Sequence, residues 1–233
     1  MPDMANVAYT DEYRRARDEY KWLFDGTPEE EVIILDGYDQ YTATCLSYSG
    51  ARPAPNGITA QYAAGKVILT GSNGILVYEY DIIDDCQLLT IIKHRNGSDY
   101  ILFNIDLYGY SVLEPKTGKV AHYVPAESFK GGETFIWLDA FYCAANDLLA
   151  VDGCYWACPW SNQFHDFSDP LRLPLPLYCD SFALESDFGV DIDSDVRFSR
   201  FTDTGQCVIQ CRNSDGETGE KIIDIVAQYK TVP

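Results

Sequence analysis

The pattern that most constrains the fold of this chain is a strand, a tight turn and a second strand, which occurs four times. The four segments are residues 66–81, 99–115, 147–170 and 196–216. In each, apolar residues alternate or run together for about five residues and are followed by Gly, Asn or Asp, as in β-hairpins. The starts of the segments are separated by about 34 to 49 residues, a spacing that brackets one four-stranded blade of a repeat protein. We therefore expect an all-β fold.

A second internal similarity supports a repeat. "TAQYAAGKVIL" begins at Thr59 and "DAFYCAANDLL" begins at Asp139, and each contains a Tyr, an Ala-Ala pair interpreted as a turn, and an apolar strand. Over residues 58–229 this pattern resembles that of β-propeller proteins of the tryptophan–aspartate and quinoprotein-like kinds. The resemblance implies four or five blades, with residues 31–50 supplying a partial one. The Gly-His and Trp-Asp dipeptides of the family are missing, so no functional residue is carried over. A β-sandwich with similar hairpins is the alternative fold.

One N-terminal α-helix is predicted over residues 10–24. Thr10 is a suitable N-cap, Asp11 and Glu12 suit the first turn, and Tyr13, Ala16 and Tyr20 recur at helical spacing. Residues 1–30 are therefore interpreted as the helix and a lead-in. Residues 31–233 are expected to form a single propeller-like β domain.

Charge and hydropathy restrict the partners. Asp and Glu outnumber Lys and Arg by 36 to 17, for a net charge of −19. Nucleic acid is excluded as a partner because phosphate binding needs clusters of Lys and Arg, and an anionic membrane surface is disfavoured for the same reason. The chain has no apolar run long enough to span a bilayer and no secretory h-region. We expect a cytoplasmic protein with reduced thiols that could bind a basic protein or a small ligand.

No metal site and no cofactor are predicted. Cys207 and Cys211 lie in a strand-like segment, where an i, i+4 spacing separates side chains by about 13 Å. The Cys154–Cys158 pair could bind zinc only if its strand breaks at Pro159. Residues 191–202 begin like a calcium-binding loop but lack its Gly at the sixth position and its Glu at the twelfth.

The candidate binding residues lie in residues 151–167, "VDGCYWACPWSNQFHDF". An aromatic platform for a ligand is one interpretation of this segment, and packing between strands is the other. Residues 157–162 are interpreted as a longer loop within the third hairpin, and such insertions often carry function. The predicted ligand-binding residues are Tyr155, Trp156, Trp160 and His165.

Three functions fit these features, and no catalytic constellation is evident. The first is a non-catalytic binding protein whose loops on one face contact a protein or a small ligand. The second is a carbohydrate-active hydrolase or lyase that uses a pair of carboxylates in a central funnel. The third is an acidic inhibitor or immunity-type protein that neutralises a basic partner, with binding that salt would weaken.

Overall fold

A computed structural model of the chain describes residues 5–34, 41–53, 57–83, 88–156, 160–188, 195–212 and 217–229. It is an all-β structure, as predicted, with 54% strand and 14% helix. The strands form four antiparallel sheets that follow one another along the sequence. The chain divides into two compact units. Unit 1 contains Met1–Ile91 and Asp99–Gly132, and unit 2 contains Ile92–Ser98 and Glu133–Pro233.

Sheets 1 and 2 are each antiparallel meanders of four strands, in sequence order. The strands of sheet 1 are β1 (Glu29–Ile34), β2 (Tyr41–Pro53), β3 (Thr59–Gly71) and β4 (Leu76–Ile83). Those of sheet 2 are β5 (Leu89–Lys93), β6 (Asp99–Asn104), β7 (Tyr110–Glu114) and β8 (Lys119–Tyr123).

Sheets 3 and 4 belong to unit 2, and their strands are also paired in sequence order. Sheet 3 contains β9 (Ile136–Cys143), β10 (Leu148–Cys154), β11 (Trp160–Asp166) and β12 (Leu177–Asp180). Sheet 4 has three strands, β13 (Asp195–Phe201), β14 (Cys207–Arg212) and β15 (Thr218–Ile223). Short helices α3 (Ser181–Phe188) and α4 (Ile225–Tyr229) accompany these sheets.

The N-terminal helix is shorter than the sequence predicts. Helix α1 spans Asp11–Asp18, and Thr10 caps it by accepting a hydrogen bond from the Tyr13 N–H. A separate 3-10 helix follows at Lys21–Asp25. The expectation of a single helix was wrong, because α2 (Ala126–Phe129), α3 and α4 also form. α2 and α4 are too short to show an apolar period, and α3, although as long as α1, has no clear apolar face.

All four predicted hairpins are present as antiparallel pairs, namely β3–β4, β6–β7, β10–β11 and β13–β14. The turn predicted at Ala63-Ala64 was wrong, because β3 continues through both residues and pairs with β2 along its whole length. The similar segment at Ala144 does turn, between β9 and β10. Whether residues 31–233 form a single domain stays a prediction.

Each unit has its own apolar core. In unit 1, residues from α1 and from both sheets pack together, and among the most buried are Leu69, Ile101, Phe103 and Leu113. In unit 2 the core joins sheets 3 and 4 to α3 and α4, with Leu148, Phe164, Leu184 and Ile209 fully buried. Within the ranges described above, no helix has the length and apolar character needed to cross a membrane.

Candidate functional site

The tryptophans of the predicted site lie at one end of the β10–β11 hairpin. Trp160 is the first residue of β11 and pairs with Cys154, the last residue of β10. Trp156 follows Cys154 by two residues, and the side chains of Trp156 and Trp160 are 58% and 52% exposed. The loop predicted over residues 157–162 is shorter than expected, since Trp160, Ser161 and Asn162 belong to β11. Cys158 and Pro159 lie outside the described residues.

Helix α3 brings a further aromatic residue to this region. Phe182, the second residue of α3, is 50% exposed, and its ring lies 6.2 Å from that of Tyr155. Tyr155 is half-buried and also contacts Phe135, with ring centroids 5.4 Å apart. We refer to Tyr155, Trp156, Trp160 and Phe182 as the aromatic surface. Phe182 could not be identified from the sequence, because contacts between α3 and β11, and not proximity along the chain, place it there.

A buried asparagine holds α3 and β13 against the hairpin. Asn162 donates its backbone N–H to the Ser181 hydroxyl at 2.8 Å, which fixes the first residue of α3. Its side-chain oxygen accepts the Phe198 N–H at 2.7 Å, and its amide nitrogen donates to Asp152. Because Asn162 is buried and these hydrogen bonds are at least partly buried, they give the aromatic surface a fixed support.

His165 on β11 is buried and does not lie on the surface. It is 5% exposed, its ring centroid is 5.0 Å from that of Trp137, and its Nε2 lies 3.1 Å from Gln163 Oε1. Gln163 Nε2 in turn donates to the Tyr155 hydroxyl at 3.3 Å. Burial lowers the pKa of His165 to about 4, so the imidazole is neutral at pH 7. The structure therefore places Trp156 and Trp160 at the surface beside the half-buried Tyr155, and links the buried His165 to Tyr155 through Gln163.

Carboxylates flank the aromatic surface. Asp139 on β9 and Asp152 on β10 are opposite each other in the register of sheet 3. Burial raises the pKa of Asp152, the Asn162 hydrogen bond lowers it, and the charges of Asp139 and Arg197 act in opposite directions on it. Asp180, the residue before α3, accepts the Ala183 N–H at 3.0 Å. Burial, followed by the charge of Asp180, raises the pKa of Tyr155, so its phenol stays protonated. Three carboxylates and one arginine, Arg197, are thus found on the elements that carry the aromatic surface or adjoin them.

The cysteines do not assemble a metal centre in the described part of the chain. There, no three His, Cys, Asp or Glu side chains are grouped so that they could hold a metal ion. Cys207 and Cys211 both lie on β14, and Cys207 is packed in the core of unit 2. None of the six described cysteines forms a disulfide. Cys86, Cys158 and most of the acidic 191–196 loop lie outside the described residues.

Comparisons with known protein families, with curated proteins and with solved structures found no match for this chain. Its function is therefore argued from the geometry of its own side chains.

Proposed function

We propose that this chain is a non-catalytic binding protein that contacts a basic segment of a partner protein through the aromatic surface. The observation that carries the proposal is the half-exposure of Trp156, Trp160 and Phe182 at adjoining ends of a hairpin and a helix. Large aromatic side chains are usually more buried than this in a monomer, and clusters of exposed ones are typical of interaction sites.

Charge supports a basic partner. The chain carries a net charge of −19, Asp180 lies near Tyr155, and Asp152 is hydrogen-bonded to Asn162, two residues from Trp160 on β11. Indole and phenyl faces attract guanidinium and ammonium groups, and carboxylates attract the same groups at longer range. A segment bearing Arg or Lys would therefore satisfy both features. An inhibitor of a basic protein is one form that such a partner relationship could take.

The fold proposed with this function is propeller-like. Support comes from the order of the sheets, since each is an antiparallel meander whose strands are consecutive in the chain, as propeller blades are. Four such sheets would correspond to four blades, the last with three described strands. A β-sandwich arrangement of the same hairpins stays the alternative.

The test is a titration with an Arg-rich peptide, compared with a peptide of equal length in which Gln replaces Arg. A chain of this charge attracts any basic peptide to some extent, so the informative quantity is the difference between protein variants. We expect Trp156→Ala and Trp160→Ala each to weaken binding of the Arg peptide roughly tenfold, the effect typical of an interface hot spot. Ile222→Ala removes an equally exposed apolar side chain from β15 and serves as the matched control. Equal affinities for the tryptophan variants, the control and the parent would contradict the proposal.

The carboxylates favour a second candidate function, the hydrolysis of a carbohydrate. Asp152 is half-buried with a raised pKa, whereas the directly opposite Asp139 is exposed, and such unequal environments suit an acid and a base. A panel of aryl glycosides provides the test. Activity that is lost in both Asp139→Asn and Asp152→Asn would favour the enzyme over the binding protein.

A further inference from the structure

A cavity of about 420 Å³ lies in unit 1 against one face of sheet 1. Cys45, Val67 and Tyr80 are aligned across β2, β3 and β4, and Ser47, Gly65 and Ile82 form the next row on the same face. All six residues line the cavity, and Leu88 and Leu89 line it from the start of sheet 2. Its volume falls within the roughly 300–1,000 Å³ of small-molecule sites.

Tyr80 lines this cavity and carries a hydroxyl group that lacks a hydrogen-bond partner among the described residues. The residue is only 7% exposed, and its ring packs on Phe103 with centroids 4.1 Å apart. Its hydroxyl is buried and has no hydrogen-bond partner among the described residues. A buried hydroxyl left in this state destabilises a fold unless something accepts from it. Of the described residues with such an atom, Tyr80 is the one that lines this cavity.

The walls of the cavity carry little charge. Burial raises the pKa of Tyr80 well above its ordinary value, and burial also raises that of Cys45, so both groups are neutral at pH 7. The amine of Lys66 is bound to Glu79 at 2.9 Å and lies 3.6 Å from Asp81. The exposed residues Thr27 and Glu29 lie at the rim.

We propose that this cavity binds a small, uncharged and mainly apolar molecule whose carbonyl or ether oxygen accepts a hydrogen bond from the Tyr80 hydroxyl. The apolar walls would contact the body of such a ligand, and the protonated phenol would donate to its acceptor oxygen. The site lies in unit 1 and does not depend on the aromatic surface of unit 2.

Gly65 allows the cavity to be filled without disturbing the backbone. A Cβ at this position would lie 3.6 Å from the Leu46 carbonyl oxygen and 3.8 Å from Ile82 Cβ, which are ordinary contacts. Valine suits a strand, so Gly65→Val is expected to fold and to occupy ligand space. Gly219 on β15 is the matched control because a Cβ there meets nothing within 4 Å.

The experiment measures binding of two probes by ¹⁹F NMR. The first, 4-fluoroacetophenone, has a carbonyl acceptor, and the second, 1-ethyl-4-fluorobenzene, has a similar shape without one. In the parent protein we expect the ketone to bind roughly tenfold more tightly than the hydrocarbon, as one buried hydrogen bond would give. In Tyr80→Phe this preference should disappear while the hydrocarbon still binds. In Gly65→Val both probes should bind at least roughly tenfold more weakly, and Gly219→Val should match the parent.

The proposal is overturned if the ketone does not bind the parent up to its solubility limit. Equal preference for the ketone in the parent and in Tyr80→Phe would also overturn it, as would equal binding to the two valine variants. Thermal unfolding of each variant checks that it is folded. Trp156→Ala provides a separate control, because its probe binding should equal that of the parent whatever the outcome for the aromatic surface.

Discussion

His94 Nε2 lies 3.2 Å from Asp147 Oδ1, and both side chains are almost fully buried in unit 2. His94 Nδ1 accepts the Asn96 N–H at 3.2 Å, so Nε2 carries the ring hydrogen, which faces the Phe167 carbonyl oxygen at 3.1 Å as well as Asp147. Asp147 also accepts from the Tyr142 hydroxyl at 2.8 Å and pairs with Arg95. A carboxylate with this many donors holds the turn before β10 in place.

Loss of the Asp147 carboxylate should therefore destabilise the protein. Asp147→Ala removes the acceptor of the half-buried Tyr142 hydroxyl and the carboxylate beside the buried His94, and it places alanine at a φ of +56°. We expect the free energy of unfolding in urea to fall by about 3–5 kcal/mol. Asp147→Asn should cost less, because asparagine tolerates a positive φ and keeps one acceptor oxygen. Asp169→Ala, at an exposed position of the same unit, is the control, and an equally large loss there would refute this account of Asp147.

The buried imidazole of His165 should make stability depend on pH. Its pKa is about 4 in the folded protein and 6.5 in the absence of burial, so the unfolded state takes up the proton first as the pH falls. The contribution to stability is complete above about pH 6.5 and is lost between pH 6.5 and 4. The loss is on the order of 3 kcal/mol. Urea unfolding of the parent and of His165→Gln across this range should give a steeper decline for the parent, and parallel curves would contradict the prediction.

The hairpins were predictable because alternation and turn residues are local signals, whereas the pairing of each hairpin with further strands was not. The hairpins β6–β7 and β10–β11 were found in the sequence and are the central pairs of their sheets. The segment at residues 66–81 proved to be the last pair of sheet 1. The predicted strand began too late, because Ala63 and Ala64 were assigned to a turn. Both have low strand propensity but pair with β2. Long-range pairing overrides propensity here, and a local pattern does not reveal it.

The aromatic surface was only partly predictable, because local position reveals some of its residues and long-range contacts place the others. Trp156 and Trp160 were identified by their position at the end of a hairpin, and both are exposed. His165 is five residues after Trp160 on β11, so alternation alone directs the two side chains to opposite faces. The alternation was visible in the sequence, but His165 was grouped with the tryptophans because it is close to them along the chain. Phe182 carried no such signal, since the contact of Ser181 with Asn162 brings α3 to the site.

Cysteine reactivity should follow burial. Burial raises the pKa of Cys207, and the nearby Cys143 and Cys179 thiols add to the effect, so little reactive thiolate forms there. Cys154 and Cys211 are only half-buried. In the native protein, iodoacetamide should modify these two before Cys143, Cys179 and Cys207, as measured by peptide mass spectrometry. All five should react alike in urea, and early modification of Cys207 in the native state would contradict the described packing.

Two arginines on α1 should differ sharply in their contribution to stability. Arg17 donates to the carbonyl oxygens of Ile105 and Asp81, each at 2.7 Å, and so joins α1 to β4 and to the residue after β6. Arg14 forms only an exposed ion pair with Asp11 one turn away. Arg17→Ala should lower the free energy of unfolding by about 3 kcal/mol, because it removes two hydrogen bonds from a charged donor.

Arg14→Ala should lower it by less than about 0.5 kcal/mol, since exposed pairs on a helix contribute little. Arg17→Lys tests the geometry, because one ammonium group does not reproduce the planar fork that reaches both carbonyls, and we expect an intermediate loss. Urea unfolding of the three variants gives the comparison. If Arg17→Ala and Arg14→Ala lost equal stability, the attachment of α1 to sheet 1 would rest on apolar packing around Tyr13 and not on the guanidinium group.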